Sequence, residues 1–308
     1  MRASLLLFVL LMMAVANLTA CVTPSAFKAH SEFVEQRILN NPAISSDAIE
    51  TAGFRLHYQS AGRANKAVAV WIHGTPGNWT DIAYLLDNQD FLSQVKLVSL
   101  DRPGWGESQY IDTPKLVTSF DEIGRLLQPL LRKLKTEHPN VPLLLVGHSW
   151  GGSLAPALAL DHPELVDGVL VLAAGLDPQL VKPRWYNRFA NTWLGNAAIG
   201  AALRKANVEI YALRPQMLAL DARWHTLRQP IIVVQGDKDR LVDPKNADYA
   251  EAVLPAAHSA VVRLRDQGHL LQLERTDLIA RCVLALADRR LEHCGGPKAA
   301  LALSGNPR

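Results

Sequence analysis

Val146-Gly147-His148-Ser149-Trp150-Gly151-Gly152 is the stretch on which the reading of the fold turns. Just before it, Pro142 to Val146 reads Pro-Leu-Leu-Leu-Val, with no polar face, as in a short strand buried on both sides. Just after it, Leu154, Ala155, Leu158, Ala159 and Leu165 recur at helical spacing within Ser153 to Leu165. Gly147 to Gly151 is therefore a G-x-S-x-G segment in strand, turn, helix context. Its glycines carry no Cβ atoms to clash in so tight a turn. The turn lifts the Ser149 hydroxyl above the sheet edge, at a helix N-terminus that favours developing negative charge.

Outward from that turn, strand and helix patterns alternate. Phe54, Leu56 and Tyr58 alternate with Arg55 and His57, and Gly62 to Asn65 reads as a turn. Further strands are expected at Ala67 to Ile72, Val95 to Leu100, Val166 to Ala173, Pro230 to Gln235 and Ala260 to Leu264. Helices are expected at Asp81 to Phe91, Leu116 to Lys135 and Asp277 to His293. Such alternation implies an α/β fold with a mostly parallel central sheet flanked by helices. Gly175 to Gln229 breaks the rhythm with helical pieces rich in tryptophan and arginine, and reads as a small helical cap inserted between late strands. The expected division is a tether and short helix at 21–48, a core at 49–175 and 230–294, a cap at 176–229, and a flexible C-terminal tail at 295–308.

Composition narrows the function classes. The 308 residues are 49% hydrophobic, ample for a sizeable core. A net charge of +3 with no dense lysine-arginine block gives no reason to expect a nucleic-acid partner. With no C-x-x-C or H-E-x-x-H spacing, neither a metal nor a cofactor is expected. Cys282 and Cys294 lie twelve positions apart, about 18 Å along a continuous helix. A disulfide between them needs the chain to turn back before Gly295-Gly296-Pro297.

Residues 1–20 stand apart. Arg2 precedes an apolar run, Leu5 to Val15, that is too short for a comfortable membrane span, and Leu18-Thr19-Ala20-Cys21 follows. This resembles the lipobox of bacterial lipoproteins, which implies a signal peptide over 1–20, cleavage before Cys21, and acyl chains such as palmitate on that cysteine. The alternative is an ordinary secretory signal cut after Ala20. Lipoproteins held at the inner membrane favour an aspartate after the cysteine; Val22 stands there instead. The resemblance thus implies a protein anchored by lipid in the bacterial cell envelope, on the periplasmic side of the outer membrane.

Four more stretches complete the pattern. His73-Gly74-Thr75-Pro76-Gly77, Asp101-Arg102-Pro103-Gly104-Trp105-Gly106-Glu107-Ser108, Gly236-Asp237-Lys238-Asp239 and Gly268-His269 each follow an expected strand. With the Ser149 turn, the chain resembles the α/β-hydrolases over nearly all its length beyond residue 49, in the order Ser, Asp, His. The resemblance implies a Ser149 nucleophile, His269 as its base, and oxyanion donors in the amides of Trp150 and Thr75. For the acid that orients the base, the family pattern matches Asp239; Asp237 is the near competitor and Asp177 a distant one. The chemistry needs these types, because a serine hydroxyl must lose its proton to a base and the resulting imidazolium needs a buried carboxylate. Pro76 has no N–H to offer. Asp243, before Pro244, reads as an N-cap. His148 is expected to point into the structure, and His73, Asp101 and Arg102 to order loops. His57, His138 and His162 read as surface or strand residues.

Substrate class rests on the cap. Lys182, Arg184, Arg188, Arg204, Lys205, Arg214, Arg223 and Arg228 face only Asp177, Glu209 and Asp221 in charge, an excess that suits a solvated face or anionic lipid headgroups. Trp185, Trp193, Trp224, Tyr186, Tyr211 and Met217 offer an apolar lining. The proline iminopeptidases, which the motifs also resemble, show two glycines before the proline and acidic cap residues; Thr75 and a basic cap depart from that. Epoxide hydrolases and haloalkane dehalogenases share the H-G-x-P and D-R-P-G-x-G segments but use an aspartate nucleophile. Cofactor-free haloperoxidases and carbon–carbon bond hydrolases share the triad. The expectation is a serine esterase for a small or medium apolar acyl substrate. The rival from another class is an inert envelope-binding protein on the same fold. Oligomeric state is not legible.

Overall fold

The computed structural model describes residues 24–295. The lipobox with Cys21, and the tail from 296 onward, lie outside the described residues. Among the described residues nine strands form one sheet: β1 (Ser45–Thr51), β2 (Phe54–Ala61), β3 (Ala67–Ile72), β4 (Val95–Leu100), β5 (Gln109–Tyr110), β6 (Leu143–His148), β7 (Gly168–Leu172), β8 (Ile231–Gly236) and β9 (Ser259–Leu264). Their order is β1-β2-β4-β3-β6-β7-β8-β9, with β5 paired to β2. β2 pairs antiparallel with β1, β5 and β4, and from β4 through β3 to β9 every pairing is parallel. The longer helices are α1 (Pro24–Phe33), α2 (Phe120–Glu137), α3 (Trp150–Asp161), α4 (Trp185–Ala190), α5 (Trp193–Ala198), α6 (Ala201–Asp221), α7 (Asn246–Val253) and α8 (Thr276–Ala287).

The apolar runs become central strands because both faces of the sheet are covered. Every residue of β3, β6, β7 and β8 is buried. Alternation divides them between two cores. Val68, Val70, Leu143, Leu145, Val169 and Val171 pack with α2 and α3, whereas Ala69, Trp71, Leu144, Val146, Leu170 and Leu172 pack with α8. The chain leaves β3 for β4 on one side and returns to β6 on the other. At such a reversal the loops at the carboxyl ends of the strands diverge and leave a crevice for a ligand. Between β7 and β8 the chain forms α4, α5 and α6.

Several boundaries differ from those expected. The sheet begins at Ser45, inside the segment read as a tether, because β1 is an edge strand with a largely exposed, polar face. Val34 and Ile38, between α1 and β1, are also buried against the core. Asp81 to Phe91 is not one helix: Asn78 and Asn88 accept hydrogen bonds from Thr80 N and Phe91 N and cap two separate short turns. Asp277 to His293 is not one helix either. α8 ends at Ala287, and Arg289 takes φ 55° in a closing turn that carries Arg290 N to Ala285 O.

That reversal brings Cys294 beside Cys282, and the two form a disulfide with Cα atoms 4.3 Å apart. Closing a loop of this size stabilises by about 3 kcal/mol on a chain-entropy account. Cys282→Ala/Cys294→Ala should therefore lower Tm by roughly 5–10 °C in thermal denaturation. Wild-type protein treated with reductant should fall to the same value; an unchanged Tm in both would show that the cross-link adds nothing.

Candidate active site

Ser149 sits between β6 and α3 with φ 54° and ψ −120°, a region that non-glycine residues rarely enter. The surrounding backbone holds it there: Ser149 N donates to Leu172 O at 2.8 Å, and Ser149 O accepts from Gly152 N at 2.9 Å. A Cβ on Gly147 would clash with the backbone of Gly151, and one on Gly151 with the carbonyl oxygens of Ile72 and His73. The glycines let β6 turn sharply enough to pass beside the end of β3.

The expected acid and base, Asp239 and His269, follow the last two strands, β8 and β9. His269 Nδ1 donates to Asp239 Oδ2 at 2.8 Å, and both residues are buried. Asp239 Oδ1 accepts from Leu241 N at 2.8 Å and Val242 N at 2.9 Å, and Oδ2 from Gln235 Nε2 at 3.2 Å. Burial alone would raise the Asp239 pKa. The opposing pull of His269 and the two backbone N–H groups outweighs it and holds the carboxyl below its ordinary value. The competing acids are elsewhere: Asp237 is exposed and accepts from Asp266 N, and Asp177 accepts from Gln179 N. Asp243 accepts from Lys245 N in the turn leading into α7.

The other histidines sort by their partners. His148 is buried and donates from Nε2 to His269 O at 2.9 Å, so it steadies the loop that carries His269. Its burial, then the neighbouring His269, pushes its pKa down to about 3, and it stays neutral. His73 donates from Nδ1 to Gly74 O at 2.7 Å and accepts at Nε2 from Arg102 N at 2.9 Å. Burial, and then the Arg102 cation, hold its pKa well below the usual imidazole value. His57 is a strand residue but not a surface one. It is buried, and its Nδ1 donates to Asp101 Oδ2 at 2.8 Å, because Asp101 also gathers Trp79 N and Glu107 N to fix two loops. His138 and His162 cap the ends of α2 and α3.

Thr75 follows β3, its bond to Pro76 is cis, and Trp150 opens α3. Ser149, His269, Thr75 and Trp150 all line one cavity of about 360 Å³ beneath the cap. Its walls are mostly apolar, with Val181, Phe189, Ile199, Leu203, Ile210 and Leu213 among them. Of the six aromatic and methionine residues expected there, only Tyr186 lines it. Trp224 and Met217 are buried in the core, and Trp193 is 78% exposed. Most of the cap's basic excess is tied down: Arg184, Arg204, Lys205 and Arg214 donate to backbone carbonyls, and Arg223 pairs with Asp161. Among the described residues no group of histidine, cysteine and acidic side chains is arranged to hold a metal.

One feature of the site was not foreseen. Glu209 of α6 makes a fully buried, two-pronged ion pair with Arg102, Nη1 to Oε1 at 2.7 Å and Nη2 to Oε2 at 3.0 Å. Its only signal in the sequence was an acid set between Lys205 and Arg214.

The sequence matches the model of the alpha/beta hydrolase family over residues 69–281, more than half of the chain. The chain belongs to the alpha/beta hydrolase family. This hydrolase is similar to human Epoxide hydrolase 4, at 22% identity over 80% of each chain. It is 32% identical to mouse Epoxide hydrolase 3 over 42% of its own length, spanning about a third (33%) of that protein. Among solved structures, Cfl2 of Burkholderia cenocepacia superposes with a TM-score of 0.61 at 18% identity, covering 78% of this chain and 94% of that one. The family and its neighbours make the protein a hydrolytic enzyme.

Proposed function

We propose that this hydrolase cleaves carboxylic esters of small or medium apolar acids through Ser149, His269 and Asp239. The observation that carries the reading is the convergence, on one apolar cavity, of a serine at positive φ and a histidine whose Nδ1–H is held by a buried carboxylate. That bond leaves Nε2 as the basic nitrogen. Nε2 takes the Ser149 proton while Oγ bonds to the ester carbonyl carbon, and the oxyanion is met by the amides of Thr75 and Trp150. Collapse breaks the bond to the alkoxy oxygen, which leaves as alcohol with the proton from His269. Water then attacks the acyl-enzyme by the same route, releasing the acid and restoring Ser149. The cavity stands at the small end of the roughly 300–1,000 Å³ usual for ligand sites, which favours a compact acyl group. Epoxide opening, the activity in the names of the human and mouse relatives, is not the reading, because Ser149 stands where that chemistry uses an aspartate.

A fluorophosphonate probe and a panel of nitrophenyl esters test this together. The expected results are covalent labelling at Ser149 and turnover of short and medium acyl esters, with proline nitroanilide untouched. Folded protein that neither labels nor turns over any ester would make the chain an inert binder.

The location is a proposal of the same kind: a lipid anchor on Cys21, holding the hydrolase to the periplasmic side of the outer membrane. The Leu18-Thr19-Ala20-Cys21 segment followed by Val22 supports it, as does a disulfide, which persists in oxidising compartments. Among the described residues no helix is long and apolar enough to cross a membrane. Cys21→Ser should shift the protein from the membrane to the soluble fraction and abolish incorporation of labelled palmitate. A membrane-bound variant would sink the anchor.

A further inference from the structure

The buried pair between Arg102 and Glu209 reaches past the cap. Arg102 Nε donates to His73 O at 2.9 Å and Nη2 to Gly74 O at 3.0 Å, while its backbone N donates to His73 Nε2. The Gly74 carbonyl belongs to the same planar peptide as the Thr75 N–H, and in a trans peptide the two point in opposite directions. Whatever holds that oxygen aims that N–H. His73 Nδ1 bonds the same oxygen from a second side.

Trp150, which supplies the other amide, meets the same group. Its ring lies under the guanidinium, 4.2 Å from Cζ to centroid, and its Nε1 donates to Glu209 O at 3.3 Å. Trp105 Nε1 donates to Glu209 Oε1 at 3.0 Å. Both oxyanion segments are thus tied to one guanidinium, and among the described residues the one carboxylate that ion-pairs with it comes from the cap. Without Glu209, a buried cation would stand among carbonyl oxygens with no bonded counter-charge and would have to move toward water. The His73 carbonyl would lose its Arg102 donor as it moved, and the Gly74 carbonyl would be left with the His73 ring alone to hold it.

We infer that Glu209 is a positioning residue for catalysis: through Arg102 it sets the Gly74–Thr75 peptide and the Trp150 turn, making the cap a working part of the oxyanion hole. This rests on the esterase reading above. The transition state carries the charge that the two amides meet, so the deficit falls on kcat and leaves KM nearly alone.

The test compares Glu209→Gln and the double variant Arg102→Met/Glu209→Met with wild type. The readouts are kcat and KM on a nitrophenyl ester, the rate of fluorophosphonate labelling, and Tm. Glu209→Gln should lower kcat about 100-fold, the scale of one lost oxyanion donor, with KM changed less than about threefold and labelling slowed in parallel. Replacing both charges by apolar side chains removes the unpaired cation, so the double variant should regain Tm without regaining kcat. A double variant that recovers kcat to within about threefold of wild type shows that the pair serves packing alone, and overturns the inference. So does a loss confined to KM, or a double variant that cannot fold. Wild-type protein that fails to label overturns the esterase reading itself; wild-type labelling with unaltered variants overturns only the role of Glu209.

Discussion

Ser149→Ala is expected to lower kcat on a nitrophenyl ester by about 10⁶-fold, with the fold and KM little changed. Alanine keeps the Cβ at the strained position and removes only the oxygen, so the glycine-lined turn and its bonds to Leu172 O and Gly152 N have no reason to rearrange. What turnover remains would come from the oxyanion amides and the cavity, which still bind a polarised carbonyl. The variant must also lose all fluorophosphonate labelling. That second readout matters because the protein holds another chain of the same groups. Ser46 Oγ lies 3.1 Å from His57 Nε2, and His57 Nδ1 bonds Asp101. Ser46, however, is an exposed residue of the edge strand β1 and does not line the cavity that holds Ser149. It lies in a strand paired with β2 and not at a helix N-terminus, so a serine, a histidine and an aspartate in line are not sufficient there. Labelling that persists at Ser46 in Ser149→Ala, with ester turnover intact, would move the active site and sink the mechanism.

How far the sequence revealed the site follows the range of the interactions involved. The Ser149 turn was legible because the strand, the glycines and the helix that define it are adjacent in the chain. Asp239 and His269 were legible as residue types after strands, but only the fold shows that the β8 and β9 ends bring them within 2.8 Å. Asp237 and Asp239 are two positions apart and chemically identical; the turn after β8 buries one and exposes the other. The Arg102–Glu209 pair joins residues 107 positions apart, and no local pattern marks it. The edge strand β1 was missed for the opposite reason. Its Ser-Ser-Asp-Ala-Ile-Glu-Thr sequence buries little, and its place comes from pairing with β2 rather than from apolar alternation. The cap's tryptophans misled because large apolar residues in a helical segment carry no sign of which face they occupy.

Asp239→Asn should cost about 10⁴-fold in kcat while keeping the side-chain shape. An asparagine carbonyl still suits the Leu241 and Val242 N–H groups that now bond Oδ1. Its NH₂ then takes the place of Oδ2 and faces His269 Nδ1. Two donors cannot meet, so the His269 proton shifts to Nε2, and the nitrogen needed to receive the Ser149 proton is blocked. The substitution therefore acts on proton placement with distances nearly kept, which a crystal structure of the variant would confirm alongside the lost rate. It also has a signature in pH. The Asp239 pKa is lower in the folded protein than the roughly 3.9 of an unfolded aspartate. Its ionisation thus contributes stability that is present above the unfolded value and lost as pH falls through the folded one. Wild type and variant should then differ fully in stability near neutral pH, and the difference should shrink only as pH falls from about 4 toward the lower folded value. Asp237→Asn is the internal control. Its carboxylate only closes the turn to Asp266 N, so turnover should stay within about twofold of wild type. If Asp237→Asn were the damaging substitution and Asp239→Asn the silent one, the assignment of the acid would be reversed.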